Sequence, residues 1–267
     1  MTVGDTFPDV PERYCGVWRR TLLETPDQRD TTTWVHWLQT ARWHADLRVP
    51  AAAEVGRSAI ALDAMSPAQH LALAQQQGFF GRTEVQPKVH GDLCTWHRKL
   101  DLQPPGLTPD VGWMEFQGDD RVIETGVHGA YREVWARVPG STGHTRVLAE
   151  TTAPPGDDAE VLATARAYLL LSGDWLMRVR PRRVGWPPGT VPCTTLGRLL
   201  ALYPASATAL LDFEISYGRL RGGAWRIERS SLPEFEGRTE AMHWQPLDDT
   251  RAEVRSDSGT SVWCVLA

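Results

Sequence analysis

The segment 31–50 reads Thr-Thr-Thr-Trp-Val-His-Trp-Leu-Gln-Thr-Ala-Arg-Trp-His-Ala-Asp-Leu-Arg-Val-Pro. Its side chains alternate in character with a period of two on either side of Thr40-Ala41, which is the pattern of half-buried β-strands. The aromatic and β-branched content favours strands, and Pro50 cannot continue a hydrogen-bonded ladder. We therefore predict two antiparallel strands joined by a tight turn, near the start of a tryptophan-rich antiparallel sheet.

The second of these strands separates its two faces clearly. One face is apolar, with Trp43, Ala45, Leu47 and Val49, and the other is polar, with Arg42, His44, Asp46 and Arg48. The polar row has two interpretations. It could line a cavity in which Arg48 holds a carboxylate while His44 and Asp46 exchange a proton. It could equally be the solvated outer face of an antiparallel sheet.

Composition excludes several classes of protein. The chain has 267 residues, of which 42% are hydrophobic, and this suffices for one large β domain or two smaller ones. The net charge of −5 argues against a nucleic-acid partner. No apolar run approaches the roughly 20 residues that cross a bilayer, and the N-terminus lacks signal-peptide features. We expect a cytoplasmic protein with no membrane partner.

No local motif predicts a metal or a cofactor. The four cysteines (Cys15, Cys94, Cys193 and Cys264) are far apart, and the eight histidines form no HxH or HExxH arrangement. No GxGxxG or P-loop pattern is present. We expect no metal, no bound cofactor and four cysteines that act as small apolar side chains.

Short strand-like segments separated by Gly, Pro and Asp continue through the chain, with eight before residue 140. A capping box at Ser66 and Gln69 predicts a short helix over 67–77, and Thr195 caps a second over 196–203. The segments 161–171 and 208–219 are interpreted as strands, although the first is rich in alanine. The prediction is an all-β chain with two antiparallel β-barrels, each with a short helix, as an N-terminal domain of residues 1–142 and a C-terminal domain of residues 143–267.

Gly16-Val17-Trp18 on the first predicted strand resembles the Gly-x-Trp opening of lipocalins and related calycin barrels. In that superfamily the tryptophan closes the narrow end of the barrel, and an arginine late in the barrel packs across its ring. The resemblance implies that Arg132 or Arg137 takes this place, with a cation–π contact of about 1–2 kcal/mol. It also implies a ligand cavity at the barrel mouth, without specifying the ligand.

Two segments supply polar candidates for such a cavity. Trp96 and Arg98 share one face of their strand, so Arg98 enters the barrel if Trp96 points inward. A buried arginine needs a carboxylate, and Glu115, Glu124 and Glu133 are the candidates. The alternative is a purely structural ion pair. In the second segment, one face carries a hydrogen-bonding and aromatic set suited to a small ligand, namely Tyr131, Glu133 and Trp135.

The leading functional prediction is that the N-terminal barrel binds a small, partly apolar organic ligand. It depends on the density of tryptophans around one cavity, namely Trp18, Trp34 or Trp37, Trp43, Trp96, Trp113 and Trp135. The candidate ligand-binding residues are Trp34, His36, Asp46, Arg48, Trp96, Glu115, Glu124 and Trp135.

The alternative is a cofactor-independent isomerase, hydratase, cyclase or lyase that uses acid–base groups in the same cavity. Its candidate catalytic residues are His44, Arg98, Tyr131 and Glu133. A glutamate with a raised pKa in the aromatic pocket favours this alternative. Two further classes are a haem binder that uses a barrel histidine and a scaffold that forms a homodimer through the second barrel.

Overall fold

The computed structural model describes residues 7–54, 59–89, 91–153 and 158–266, which form two closed antiparallel eight-stranded barrels. The predicted fold class is therefore confirmed. The first sheet has nine strands, and all of them except β2 form the barrel. They are β1 (Gly16–Glu24), β2 (Arg29–Asp30), β3 (Trp34–Gln39), β4 (Trp43–Val49), β5 (Gln77–Lys88), β6 (Gly91–Asp101), β7 (Asp110–Phe116), β8 (Arg121–Gly126) and β9 (Arg132–Arg137). Pairing of β1 with both β3 and β9 closes this barrel, and the two-residue β2 adds to the end of β1.

The second barrel follows the strand order of the chain and closes by pairing its first strand with its last. Its strands are β10 (Thr145–Ala149), β11 (Tyr168–Ser172), β12 (Trp175–Arg180), β13 (Glu214–Arg221), β14 (Ala224–Ser230), β15 (Thr239–Pro246), β16 (Arg251–Ser256) and β17 (Gly259–Leu266). The predicted boundary between residues 142 and 143 falls in the connection from β9 to β10. As a division into domains it stays a prediction.

The described residues form five short α-helices rather than the predicted one in each half. They are α1 (Ala51–Glu54), α2 (Pro67–Leu73), α3 (Asp158–Thr164), α4 (Leu196–Leu202) and α5 (Ala207–Leu211). The caps expected at Ser66 and Thr195 are both formed. Each of these helices, within the chain that the structure describes, falls short of the length and hydrophobicity required to span a bilayer.

Two strand predictions were wrong in part, because helices occupy their first halves. Segment 161–171 contains the end of α3 and the beginning of β11, and segment 208–219 contains most of α5 before β13 begins. Both segments contain alanine and leucine within their first four residues, which favours a helix, and each strand starts only where the β-rich sequence follows. Helix α2 also ends at Leu73, before the predicted residue 77, because Gln77 already pairs with Arg48 in the sheet.

Trp18 and Arg137 close one end of the first barrel. The guanidinium carbon of Arg137 lies 4.1 Å from the centroid of the Trp18 ring, which confirms one of the two expected arginines. Gly16 has a φ of +139°, and a Cβ atom there would lie 2.7 Å from Nη1 of Arg137. Glycine is therefore favoured here by its backbone conformation, and a larger residue would also displace the arginine from this position.

The two barrels pack side by side through the outer faces of their strands. The largest apolar cluster contains Leu47 and Val49 of β4 together with Met177 and Val179 of β12. An aromatic stack crosses this interface, since the ring centroids of Trp43 and Phe80 are 5.1 Å apart and those of Phe80 and Tyr168 are 4.4 Å apart. Side chains from both sheets thus form one apolar core between the barrels.

This packing decides the orientation of β4. Its apolar face points away from the interior of the first barrel and packs against the outer surface of the second. Trp43, Ala45, Leu47 and Val49 are all buried in this interface. Because side chains alternate along a strand, His44, Asp46 and Arg48 point into the first barrel. These three residues of the polar row therefore lie on the inner face of the barrel, and the interpretation of a solvated outer face was wrong for them. Arg42 precedes β4 and bonds Asp9 at the surface.

We expect Trp43→Ala to lower the free energy of unfolding by about 3–5 kcal/mol, because the removed ring is 1% exposed and lies between the barrels. Trp113→Ala is the matched control, since Trp113 lies on the outer face of the same barrel and is 39% exposed. Its loss is expected to be about 1 kcal/mol or less. Urea denaturation followed by far-UV circular dichroism measures both values, and equal losses would contradict this account of the interface.

Candidate functional site

The closed half of the first barrel is filled by aromatic side chains. Trp37 lies at the centre, with ring centroids 6.4 Å from Trp18, 5.6 Å from Trp96 and 5.9 Å from Trp135. Each of these four rings is at least 94% buried. This half of the barrel is therefore a packed base and leaves its space for a ligand at the opposite end.

The opposite end of the barrel contains a pocket of about 440 Å³, a volume suited to a small organic molecule. It lies where β1, β4 and β8 end and where β7 and β9 begin, which is one rim of an antiparallel barrel. Its charged lining residues are Arg20, Asp30, Arg48, Asp110, Glu124 and Glu133. The lining contains no tryptophan, so the pocket is more polar than the predicted tryptophan-lined cavity.

Glu124 and Glu133 form a carboxyl pair in the pocket wall. They are directly opposite each other on β8 and β9, which places their Cβ atoms about 4.5–5.5 Å apart on the inner face. Both are buried, with exposed fractions of 5% and 3%. Gly112 on β7 makes room for the pair, since a Cβ there would lie 2.8 Å from Cγ of Glu124.

The Glu124 carboxyl accepts two hydrogen bonds from its neighbours. The Tyr131 hydroxyl donates to Oε1 at 2.7 Å, and the indole nitrogen of Trp135 donates to Oε2 at 3.1 Å. Burial and the negative charge of Glu133 raise the pKa of Glu124 to about 8. Burial and the neighbouring Glu124 also raise the pKa of Tyr131. At neutral pH, Glu124 therefore holds a proton that it can release near pH 8.

Glu133 is held through one of its two oxygens. Arg20 donates from Nη1 to Oε1 of Glu133 at 2.6 Å and from Nη2 to Oδ2 of Asp30 at 3.0 Å. Burial alone would raise the pKa of Asp30, but hydrogen bonds from Thr33 and Thr32 lower it below its ordinary value. Among the described residues, Oε2 of Glu133 has no hydrogen-bond partner although it is buried. One carboxylate oxygen is thus unsatisfied in the pocket wall.

Arg48 is already paired on its own strand. Its Nε donates to Oδ1 of Asp46 at 2.8 Å, and its Nη1 lies 3.9 Å from Oε1 of Glu133, which is beyond hydrogen-bond distance. Burial opposes the charge of Arg48, but Asp46 and Glu133 raise its pKa well above the ordinary value. The expected carboxylate partner of Arg48 is therefore present within the protein.

Arg98 lies on the same face of β6 as Trp96, as expected, but it is exposed at the barrel rim, and its carboxylate partners are not the expected glutamates. It donates from Nε and Nη2 to Asp110, at 2.9 and 2.6 Å, and from Nη1 to Asp101 at 3.1 Å. Its guanidinium carbon lies 3.7 Å from the ring centroid of Phe79. Both aspartates lie closer to Arg98 at the barrel rim than the glutamates of β8 and β9, so Arg98 fixes Asp110 in the pocket wall.

His44 lies inside the barrel but outside the described pocket lining. Thr83 uses its proton to bond Gln39, so the 3.0 Å contact from His44 Nδ1 to the Thr83 hydroxyl is donated by the imidazole. Burial, with further contributions from Arg98 and His97, lowers the pKa of His44 well below its ordinary value. His44 and Asp46 thus have different partners, and the expected proton exchange between them has no contact to support it.

Of the eight predicted ligand-binding residues, Arg48 and Glu124 line the described pocket. Trp96 and Trp135 belong to the packed aromatic base, and Asp46 bonds Arg48 without lining the pocket. The other three lie outside the barrel interior. Trp34 and His36 are on the outer face of β3, where their rings contact Tyr217 of the second barrel at centroid distances of 5.4 and 4.7 Å. Burial and two nearby arginines lower the pKa of His36 to about 3. Glu115 is exposed on the outer face of β7. Side chains alternate along each strand as predicted, but these three point out of the barrel and not into it.

Sequence reasoning missed three charged residues of the pocket. Arg20 could have been found, because it is two residues after Trp18 on the same strand and therefore shares its inward face. Asp30 lies in a segment interpreted only as a turn, and Asp110 lies in a Pro- and Gly-rich connection. Neither aspartate belongs to an alternating pattern that would assign it to the barrel interior.

No cluster of three or more His, Cys, Asp or Glu side chains with the arrangement of a metal site occurs among the described residues. Comparisons of the chain with protein-family models, with curated proteins and with solved structures gave no match. The chemistry of the pocket therefore has to be inferred from its own geometry.

The raised pKa of Glu124 predicts a pH dependence of stability. The ordinary pKa of glutamate is 4.5, so between about pH 5 and pH 8 the folded protein keeps a proton that the unfolded chain has released. The contribution of Glu124 to stability is therefore present at low pH and is lost as the pH rises, by at most roughly 1.4 kcal/mol per pH unit.

Glu124→Gln removes this titration while it keeps the shape of the side chain. Urea midpoints at pH 5, 6, 7 and 8 should therefore fall less steeply with pH in this variant than in the unmodified protein. Glu115→Gln, on the exposed outer face of the barrel, should retain the steeper fall. Parallel curves for all three proteins would contradict the assignment of a buried, protonated Glu124.

Proposed function

We propose that the first barrel binds a small, partly apolar organic molecule in the pocket at its open end. The observation that supports this proposal best is the unsatisfied Oε2 of Glu133, which is buried in the wall of a pocket of ligand size. A buried polar atom without a partner is rare in proteins and is often satisfied by a ligand or water. The fixed network of Arg20 and Asp30 holds this oxygen in place for such a contact.

The pocket offers different surroundings to the two ends of a ligand. Its inner wall carries the carboxyl pair and the Tyr131 hydroxyl, whereas Leu23 and Pro50 contribute apolar surface. The packed aromatic base holds this wall rigidly, because four tryptophan rings fill the barrel below it. A molecule with one hydrogen-bonding end and one apolar end fits this distribution.

Two further assignments belong to the same proposal. The closed barrel with Trp18 beneath Arg137 supports membership of the lipocalin-like calycin superfamily. Cys15, Cys94, Cys193 and Cys264 are all free thiols, which are typical of a reducing compartment and support a cytoplasmic location.

Acid–base catalysis without a cofactor is the second candidate function, and the raised pKa of Glu124 favours it. A carboxyl group with a pKa of about 8 can donate a proton at neutral pH, while the neighbouring Glu133 accepts hydrogen bonds as a carboxylate. Such a pair suits an isomerase, hydratase, cyclase or lyase. Tyr131 would then orient the acid through its 2.7 Å hydrogen bond.

Binding can be tested with a panel of fragment-sized organic molecules and intrinsic tryptophan fluorescence, because Trp135 bonds directly to Glu124. We expect compounds that change the fluorescence to lose at least about tenfold in affinity in Thr33→Trp, since Thr33 lines the pocket and a large ring there fills it. Thr125→Trp adds the same ring on the exposed outer face of β8 and should leave affinity unchanged. If no compound in the panel binds more weakly to Thr33→Trp than to the unmodified protein, the proposed function is wrong.

Catalysis can be tested by following each binding compound in NMR spectra for conversion to a product. If the protein is an acid–base enzyme, Glu124→Gln should lower kcat by about 10²–10⁴-fold, because the proton donor is lost. Activity of the unmodified enzyme should fall as the pH rises through 8, since Glu124 then loses its proton. Glu115→Gln is the control, and turnover that survives Glu124→Gln would exclude this mechanism.

A further inference from the structure

We propose that the pocket at the mouth of the first barrel selects organic cations that carry at least two N–H donors, such as an amidinium or a primary ammonium. The donors would bond Oε2 of Glu133 and the carboxyl group of Glu124. This inference rests on the proposed binding function and names the class of ligand that the site accepts.

The first argument is the balance of charged groups. The carboxyl groups in and behind the pocket wall are Asp30, Asp46, Asp101, Asp110, Glu124 and Glu133. The guanidinium groups that face these carboxyl groups among the described residues are those of Arg20, Arg48, Arg98 and Arg182, the last of which lies near Asp101. Carboxyl groups therefore outnumber guanidinium groups by six to four, although Glu124 is protonated at neutral pH. A cation in the pocket reduces this imbalance, and an anion increases it.

The second argument is that each arginine is already engaged. Arg20 bonds Glu133 and Asp30, Arg48 bonds Asp46, and Arg98 bonds two aspartates. A ligand carboxylate or phosphate would compete with these carboxyl groups for the arginine N–H donors and would add a negative charge beside Glu133. Loss of a partner from the buried pairs of Arg20 is strongly unfavourable, so the site is poorly suited to anions.

The third argument is the geometry of the available acceptors. Oε2 of Glu133 is buried and has no partner in the part of the chain that the structure describes. The Glu124 carboxyl lies beside it on the paired strand, so both face the same space. One N–H of an amidinium group can bond Oε2 of Glu133 while a second bonds the Glu124 carboxyl, which also accepts from Tyr131 and Trp135. A buried unsatisfied acceptor that gains such a donor removes the free-energy cost of its desolvation.

The pocket also couples cation binding to proton release. The groups that face Glu124 come from every neighbouring element. They are Glu133 on β9 and Tyr131 just before it, Asp110 on β7, Cys94 on β6, Arg48 on β4, Arg20 on β1 and Asp30 on β2. Burial and Glu133 together raise the pKa of Glu124 to about 8. A ligand cation favours the deprotonated form of Glu124, so the affinity for cations rises as the pH approaches and passes 8.

Benzamidinium, benzamide and benzoate are probes of the same size with a positive, a neutral and a negative head group. Isothermal titration calorimetry at pH 7 should give the tightest binding for benzamidinium, with benzamide and benzoate at least about tenfold weaker. Because benzamidinium remains charged, its affinity should rise roughly tenfold between pH 7 and pH 9 as Glu124 is deprotonated.

Two variants of matched chemistry locate the effect. Glu124→Gln keeps the shape of a side chain that is protonated at pH 7, so it should fold, and it should abolish the rise of affinity with pH. Glu115→Gln removes a carboxylate from the exposed outer face of the same barrel and should leave the rise intact. Glu133→Gln should weaken benzamidinium at both pH values, and circular dichroism verifies that this variant folds.

The outcomes separate this inference from the proposed function. Equal affinity for benzamide and benzamidinium, or tighter binding of benzoate, would overturn selection of cations, although binding itself would stand. Selection of cations would also be overturned if benzamidinium did not bind while other compounds bound more weakly to Thr33→Trp than to the unmodified protein. A pH dependence that persists in Glu124→Gln would show that the carboxyl pair is not the binding group. Only the absence of every Thr33→Trp-sensitive compound would remove both proposals.

Discussion

The burial of one face of β4 between the two barrels is the constraint on which the rest of the molecule depends. Trp43, Leu47 and Val49 are needed for the apolar core that joins the barrels. Since successive side chains on a strand point in opposite directions, His44, Asp46 and Arg48 have to enter the first barrel. A row of polar groups that would be solvated in a single-barrel protein is thereby enclosed, and the enclosed charges require partners.

The interior of the first barrel satisfies this requirement by division into two parts. Aromatic rings fill the end closed by Trp18 and Arg137, where Tyr14 and Arg13 both donate to the buried carboxylate of Asp92. The other charged groups collect at the open end, where Arg20 links Glu133 to Asp30 and Arg48 bonds Asp46. Carboxyl groups remain in excess there, and the elevated pKa of Glu124 is a direct consequence, because protonation removes a negative charge that burial and Glu133 disfavour.

Local signals in the sequence were reliable where they described a single element. The capping residues Ser66 and Thr195 begin helices as expected, and the period-two pattern of segment 31–50 predicts two strands that the structure contains. The sequence patterns did not predict α3 and α5, which precede strands without a strong boundary signal. Helices of five to seven residues have little stability of their own, so packing against the barrels determines whether they form.

The sequence by itself determined that the chain forms antiparallel strands with two distinct faces, and that Gly16 and Trp18 lie where a barrel closes. Only the tertiary structure decided which face of each strand is the inner one. Alternation of side chains is symmetric with respect to the two sides of a sheet, so it cannot distinguish a solvated polar face from an enclosed one. The second barrel removes this symmetry: it covers Trp34, His36 and the apolar face of β4, and it leaves Arg48 to meet Glu133 inside the first barrel.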